Sequence, residues 1–173
     1  MPNSRSGTVR VLGIDTSLRS TGVAVVEATG NRLSALEHGA IRNPRTAPLS
    51  KCLRRLDEGL SELITRTGPD AAAIEGAFYS KNVKTAMILG EARGVAIAAC
   101  ARAGLPVYEY APRRIKQALV GIGSASKNQV RQMVMTLLSL DKEPQEDAGD
   151  ALAIAICHLH TRSGHAALAP GEI

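Results

Sequence analysis

The order in which hydrophobic periodicities follow one another along this chain limits its architecture more than any other feature. Three apolar, β-branched runs come first and close together: residues 9–15 (VRVLGID), 22–28 (GVAVVEA) and 32–41. Short linkers of Gly, Ser and Asn join them, so the spacing predicts an antiparallel meander. The period then changes. Leu53, Leu56, Leu60, Leu63 and Ile64 recur at helical spacing within residues 50–66, and Gly68-Pro69 ends that helix. A short buried-type strand, residues 71–75 (AAAIE), precedes a helix over 83–103, and Gly104 separates that helix from a strand over 106–110 (PVYEY). Helices over 113–120, 127–138 and 146–160 complete the pattern. Three strands followed by helix–strand alternation predict an α/β fold: a mixed five-stranded sheet flanked by helices, with the later strands parallel.

Composition narrows the function. The 173 residues include only four aromatics, Phe78, Tyr79, Tyr108 and Tyr110. A core built from this sequence is aliphatic, and a module that stacks successive bases on many rings is disfavoured. Cys52, Cys100 and Cys157 are widely spaced and odd in number, which argues for a reduced compartment and against a disulfide scaffold or zinc ribbon. No apolar run is long enough to span a membrane, and a cytoplasmic protein is expected. The formal charge is +5. Five of the basic residues, Arg113, Arg114, Lys116, Lys127 and Arg131, fall between positions 111 and 140 with no acid among them. That stretch is either a solvated face or an electrostatic footprint for an anion. Residues 161–173, rich in Ala, Gly and Pro without amphipathic period, read as a flexible tail, and residues 1–8 as a disordered N-terminus.

The chemistry lies in four acids. Asp15 and Glu75 each end a hydrophobic strand, and a parallel pair would put both at the carboxyl edge of the sheet, where ligands bind in open α/β folds. Asp147 and Asp150 lie three apart at the start of a helix and therefore share a face. Acids in a first helical turn also serve simply as complements of the helix dipole. Here Ala148, Gly149, Ala151, Ala153 and Ala155 leave the helix with little bulk, so its backbone can approach the sheet and carry both acids inward. Four carboxylates in one low-dielectric cleft cannot all ionise without cations. Mg²⁺ suits an all-oxygen site, and two such ions can serve a phosphodiester hydrolysis. His158 and His160, two apart on a helix, face different ways and read as surface or packing residues.

The segments GIDTSLRSTGVAVV, AIEGAFYSKN, GLPVYEYAPRRIKQALVGIGSASKNQV and DAGDALAIAICH, in that order and spacing, resemble the RuvC family of Holliday junction resolvases. The similarity runs from about residue 9 to residue 160. It implies an RNase H-like nuclease domain over 9–160, with Asp15, Glu75, Asp147 and Asp150 in the four catalytic and metal-binding positions. It also implies a homodimer that nicks four-way DNA junctions in pairs with Mg²⁺, two ions per active site with Mn²⁺ as substitute, alongside a RuvA and RuvB branch-migration complex. Phe78 would reach the junction centre, and Lys116 and Lys127 would bind phosphates. Tyr79, Lys81, Arg113, Arg114 and Arg131 complete the DNA-binding candidates, and either Phe78 or Tyr79 would be the exposed ring. Two departures stand out: Thr16-Ser17 where the family usually has Pro-Gly, which could alter the turn beside Asp15, and Gly76 where it usually has Gln.

The residues alone leave competing functions open. GIDTSLRSTGVAVV also looks like the first phosphate loop of sugar kinases and actin-like ATPases, although those carry two such domains. A non-enzymatic junction binder and a general RNase H-type nuclease compete as well, and substrate choice separates them.

Overall fold

The computed structural model describes residues 7–76, 81–164 and 170–173. Among the described residues five strands form one sheet, β1 (Thr8–Asp15), β2 (Ser20–Thr29), β3 (Arg32–Arg42), β4 (Ala71–Glu75) and β5 (Val107–Tyr110), in the order β3-β2-β1-β4-β5. The first three make the expected meander: β1 and β2 pair antiparallel, as do β2 and β3. Gly30, with φ of 57°, makes the tight β2–β3 turn, a conformation that costs glycine little. β4 pairs parallel to β1 and β5 parallel to β4, because each is reached by a helical crossover.

The helices are α1 (Leu49–Thr67), α2 (Val83–Arg102), α3 (Pro112–Val120), α4 (Lys127–Leu138) and α5 (Glu146–Ser163). Their ends follow local chemistry. Gly68 closes α1 in the left-handed conformation, its N–H on the Ile64 carbonyl, and Ser126 with Gln129 forms a reciprocal capping box that starts α4.

Both faces of the sheet are buried. Leu12, Ile14, Val23, Val25 and Ile74 pack under α1 and α2, against Leu56, Leu60, Ala96 and Cys100. On the opposite face Val11, Ala24, Val26 and Ala73 meet Leu152, Ile156, Ile115 and Val134 from α3, α4 and α5. Alternation along β1, with Val11 on one face and Leu12 and Ile14 on the other, is the two-residue period of a strand covered on both sides. Among the described residues the core is mostly aliphatic, and within it the Tyr110 hydroxyl lies 2.8 Å from Nδ1 of the buried His158. Burial drives the imidazole down to about 4, so it packs as a neutral ring. All three cysteines are free and buried.

Two expectations need correction. α5 continues past His160 to Ser163, so the supposed tail begins as helix. Residues 172 and 173 also lie against the sheet: Glu172 bridges to Tyr108, and the Ile173 N–H donates to the Val107 carbonyl at 3.0 Å. β5 is an edge strand with open backbone groups, and the end of the chain supplies partners for them.

Candidate active site

The pairing of Ile14 with Ile74 leaves Asp15 and Glu75 one residue further on, side by side at the carboxyl edge of the parallel pair. α5 crosses the same edge on one face of the sheet and brings Asp147 and Asp150 to them. Its approach is closer than small residues on α5 alone would allow, because the strands also lack side chains there. A Cβ on Gly22 would stand 2.0 Å from the Asp147 carbonyl oxygen, and one on Gly13 would stand 2.0 Å from that of Ala151. Gly149, by contrast, has only Pro144 near it and takes no part in this contact.

All four acids line one cleft of about 480 Å³, together with Lys116, Lys127 and Arg131 and an apolar wall that includes Ile115, Val130 and Ile154. Asp15 feels the others most. Burial, and then the charges of Asp150, Glu75 and Asp147, push its carboxyl up to about 7, against a partial offset from Lys127. Burial also raises Glu75 and Asp150, with Asp150 adding to the rise at Glu75. Burial and mutual repulsion thus both disfavour the ionised forms. The donor set is carboxylate oxygen throughout, which fits a hard divalent cation. Among the described residues no three His, Cys, Asp or Glu side chains stand together as a ready-made ion cage. A Mg²⁺ site needs only one or two carboxylates, completed by waters and substrate phosphate.

The remaining candidates divide. Lys116, Lys127 and Arg131 face the cleft. Arg113 instead lies over Gly123, and Arg114 stands near Tyr110 and Cys157, so neither lines the cleft wall. Lys81 is exposed just before α2. Phe78 and Tyr79 lie outside the described residues.

Several participants carry no clear signal in the sequence. The Ser20 hydroxyl donates to the Asp147 carboxylate, fixing it to the β1–β2 turn. Lys127 is held by Glu146 at 2.9 Å and Arg131 by Glu143 at 2.6 Å, so both cations are already paired at the cleft mouth. The Thr16-Ser17 turn needs no glycine. Ser139 is the only non-glycine residue with positive φ among those described, and the buried Thr21 hydroxyl donates to the Ser17 carbonyl to close the turn. Beside Gly76, whose N–H donates to the Tyr110 carbonyl at 2.8 Å, stands the Glu109 carboxylate, ion-paired to Arg93 of α2.

A β3-β2-β1-β4-β5 sheet with acids from β1, β4 and the last helix at its carboxyl edge defines an enzyme of the RNase H-like class. Comparison with known proteins narrows this. The family model of crossover junction endodeoxyribonuclease RuvC matches residues 11–158. The curated crossover junction endodeoxyribonuclease RuvC of Alkalilimnicola ehrlichii is 54% identical over 151 residues, 87% of this chain and 91% of the relative. That of Magnetococcus marinus is 44% identical over 98% of this chain and 94% of its own. The structure of T. thermophilus RuvC in complex with Holliday junction substrate superposes with a TM-score of 0.87 and 31% identity, covering 94% of this chain and 98% of that one. The chain belongs to the RuvC family of crossover junction endodeoxyribonucleases.

Proposed function

We propose that this enzyme resolves four-way DNA junctions by paired, symmetric, Mg²⁺-dependent phosphodiester hydrolysis, in homologous recombination and DNA repair. The observation that carries the proposal is the convergence of Asp15, Glu75, Asp147 and Asp150 in one cleft walled by Lys116, Lys127 and Arg131. Its likeness to a RuvC solved with a Holliday junction supports that substrate. The four carboxylates would hold two Mg²⁺ ions, or Mn²⁺ in their place. Bound there, the metal supplies an activated water and stabilises the leaving oxygen.

The residues' own contributions follow from their placement. Asp15 and Glu75 ride on strand ends held by the sheet ladder, which fixes their positions before substrate arrives. Ser20 orients Asp147. Lys116 and Lys127 lower the ionisation cost of Glu75 and offer charge to phosphates. An aromatic ring at Phe78 or Tyr79 would enter the junction centre as a wedge between base steps.

Two paired cuts suit two identical sites, so the working unit is a homodimer. In α2, Ala92, Ala96 and Cys100 are spent on the core while Met87 and Val83 are well exposed, which leaves the outer face of its N-terminal half for a second copy. A RuvA and RuvB branch-migration complex is the expected partner, in the cytoplasm; no helix among the described residues is long and apolar enough to cross a membrane.

Asp15→Asn and Asp147→Asn are each expected to abolish Mg²⁺-dependent nicking of a synthetic four-way junction while binding in Ca²⁺ persists. Undiminished nicking by both variants overturns the assignment. Linear duplex and RNA–DNA hybrid in the same assay distinguish a junction resolvase from a general nuclease.

A further inference from the structure

The chain has a second acid-free basic segment. Residues 38–56 contain Arg42, Arg45, Lys51, Arg54 and Arg55 and no Asp or Glu. Its position follows from the register. Ser20 pairs with Arg42, so β3 ends at the same edge at which β1 ends in Asp15. α1 then runs back across the sheet to the far edge, where the Asp70 N–H meets the Arg10 carbonyl. The loop after β3 and the first turns of α1 therefore stand at the carboxylate edge.

That loop is firmly held. The Arg19 guanidinium donates to the carbonyls of Pro44 and Ala47, and the buried Asn43 amide donates to those of Leu18 and Cys52. Arg42 reaches Gln145, itself on the cleft wall, at 2.8 Å. Arg54 is paired with Glu58. Among the described residues no acid pairs with Arg42, Arg45, Lys51 or Arg55, and all four are exposed. α1 covers one face of the sheet, whereas α3 and α4, bearing Lys116, Lys127 and Arg131, cover the other. The carboxylate edge of the sheet thus carries cations on both layers.

We infer that Arg42, Arg45, Lys51 and Arg55 form a second phosphate-binding surface, which takes the sugar–phosphate backbone of a duplex arm leaving the active site on the α1 side. The inference rests on the junction-cleaving function proposed for the same site. Cations without acid partners, on the strand end, loop and first turns of α1 beside a hydrolytic edge, suit a backbone of regular negative charge, and such contacts set the register of the duplex without reading its bases.

The test is junction binding in Ca²⁺ across a salt series. Arg45→Gln/Lys51→Gln removes two side chains that hold no hydrogen bond or ion pair among the described residues, so the thermal midpoint should not move. The slope of log affinity against log salt is expected to flatten by about 1.8, and by about 2.7 once Arg42→Gln is added. Lys116→Gln/Lys127→Gln is the reference for the opposite face. If that pair flattens the slope and Arg45→Gln/Lys51→Gln leaves it unchanged, the duplex lies on the α3–α4 side alone and the inference is overturned. A wild-type protein that does not bind the junction would refute the underlying junction-cleaving function instead.

Discussion

Replacing Asp15 with Asn should destroy activity and, in the absence of metal, stabilise the fold. Asp15 is half-buried among three other acids, and its carboxyl is raised from 3.8 to about 7. In the unfolded chain it ionises at the ordinary value. Between about pH 4 and pH 7, folding therefore takes up a proton at this site, and stability declines as pH rises through that window. At about 1.36 kcal/mol per pKa unit the full penalty above pH 7 approaches ~4 kcal/mol, and solvent at the cleft mouth reduces it. The expected gain for Asp15→Asn in EDTA is about 1–2 kcal/mol at pH 5 and about 2–4 kcal/mol at pH 8, read from urea denaturation. The upward displacements of Glu75 and Asp150 act in the same direction. Adding Mg²⁺ should narrow the gap and close it at a thousandfold excess over the dissociation constant, where an ion bound only by the folded wild type contributes about 4.1 kcal/mol, against about 2.7 kcal/mol at a hundredfold excess. An Asn variant less stable than wild type at pH 8 in EDTA would show that the carboxylate makes a favourable folded-state contact and would refute the reasoning.

Two further outcomes follow from the same geometry. Gly22→Ala places a Cβ 2.0 Å from the Asp147 carbonyl; α5 must shift, and a loss of about 3 kcal/mol or more, with nicking impaired, is expected by denaturation and junction assay. Glu146→Gln frees Lys127 from its ion pair, so the salt dependence of junction binding should steepen by about 0.9, whereas an unchanged slope would show that the pair persists on DNA or that Lys127 meets no phosphate.

The parts of the site that are legible in sequence are those coded locally. Asp15 and Glu75 can be placed because each ends an apolar run, and strand ends are visible in the pattern; Asp147 and Asp150 because a three-residue spacing fixes a shared helical face. What escapes depends on close approach between distant segments. Gly13 and Gly22 look like ordinary strand glycines until α5 is laid over them, although glycine inside a strand does signal a near neighbour. The Thr16-Ser17 turn is misleading in sequence for a related reason: the Thr21 hydroxyl closes it, accepting from the Ser17 N–H and donating to the Ser17 carbonyl, so a positive φ is not required. The acid-free stretch after residue 111 reads in sequence as a single solvated face or footprint, but α3 is amphipathic. Lys116 faces the cleft while Arg113 and Arg114 point elsewhere, and Glu143 and Glu146 reach back from beyond the stretch to pair with Arg131 and Lys127.

Two of the acids belong to the sheet and two to α5, so the carboxylate cluster exists only when α5 is docked. That docking buries the carboxyls and brings like charges together, and the raised carboxyls of Asp15, Glu75 and Asp150 register both as a cost. It is opposed by the close contact over Gly13 and Gly22 and by burial of Leu152, Ile154 and Ile156. Each fully buried aliphatic side chain contributes roughly 1.5–3 kcal/mol, so these three together outweigh the penalty of about 4 kcal/mol at Asp15. The helix can therefore hold the acids in place before any cation arrives, and the unspent electrostatic strain becomes affinity for the cation when it binds. A site built this way needs tight packing of the helix on the sheet more than it needs contacts among the acids themselves, which is why the residues that position the chemistry are glycines on the strands and aliphatics on the helix.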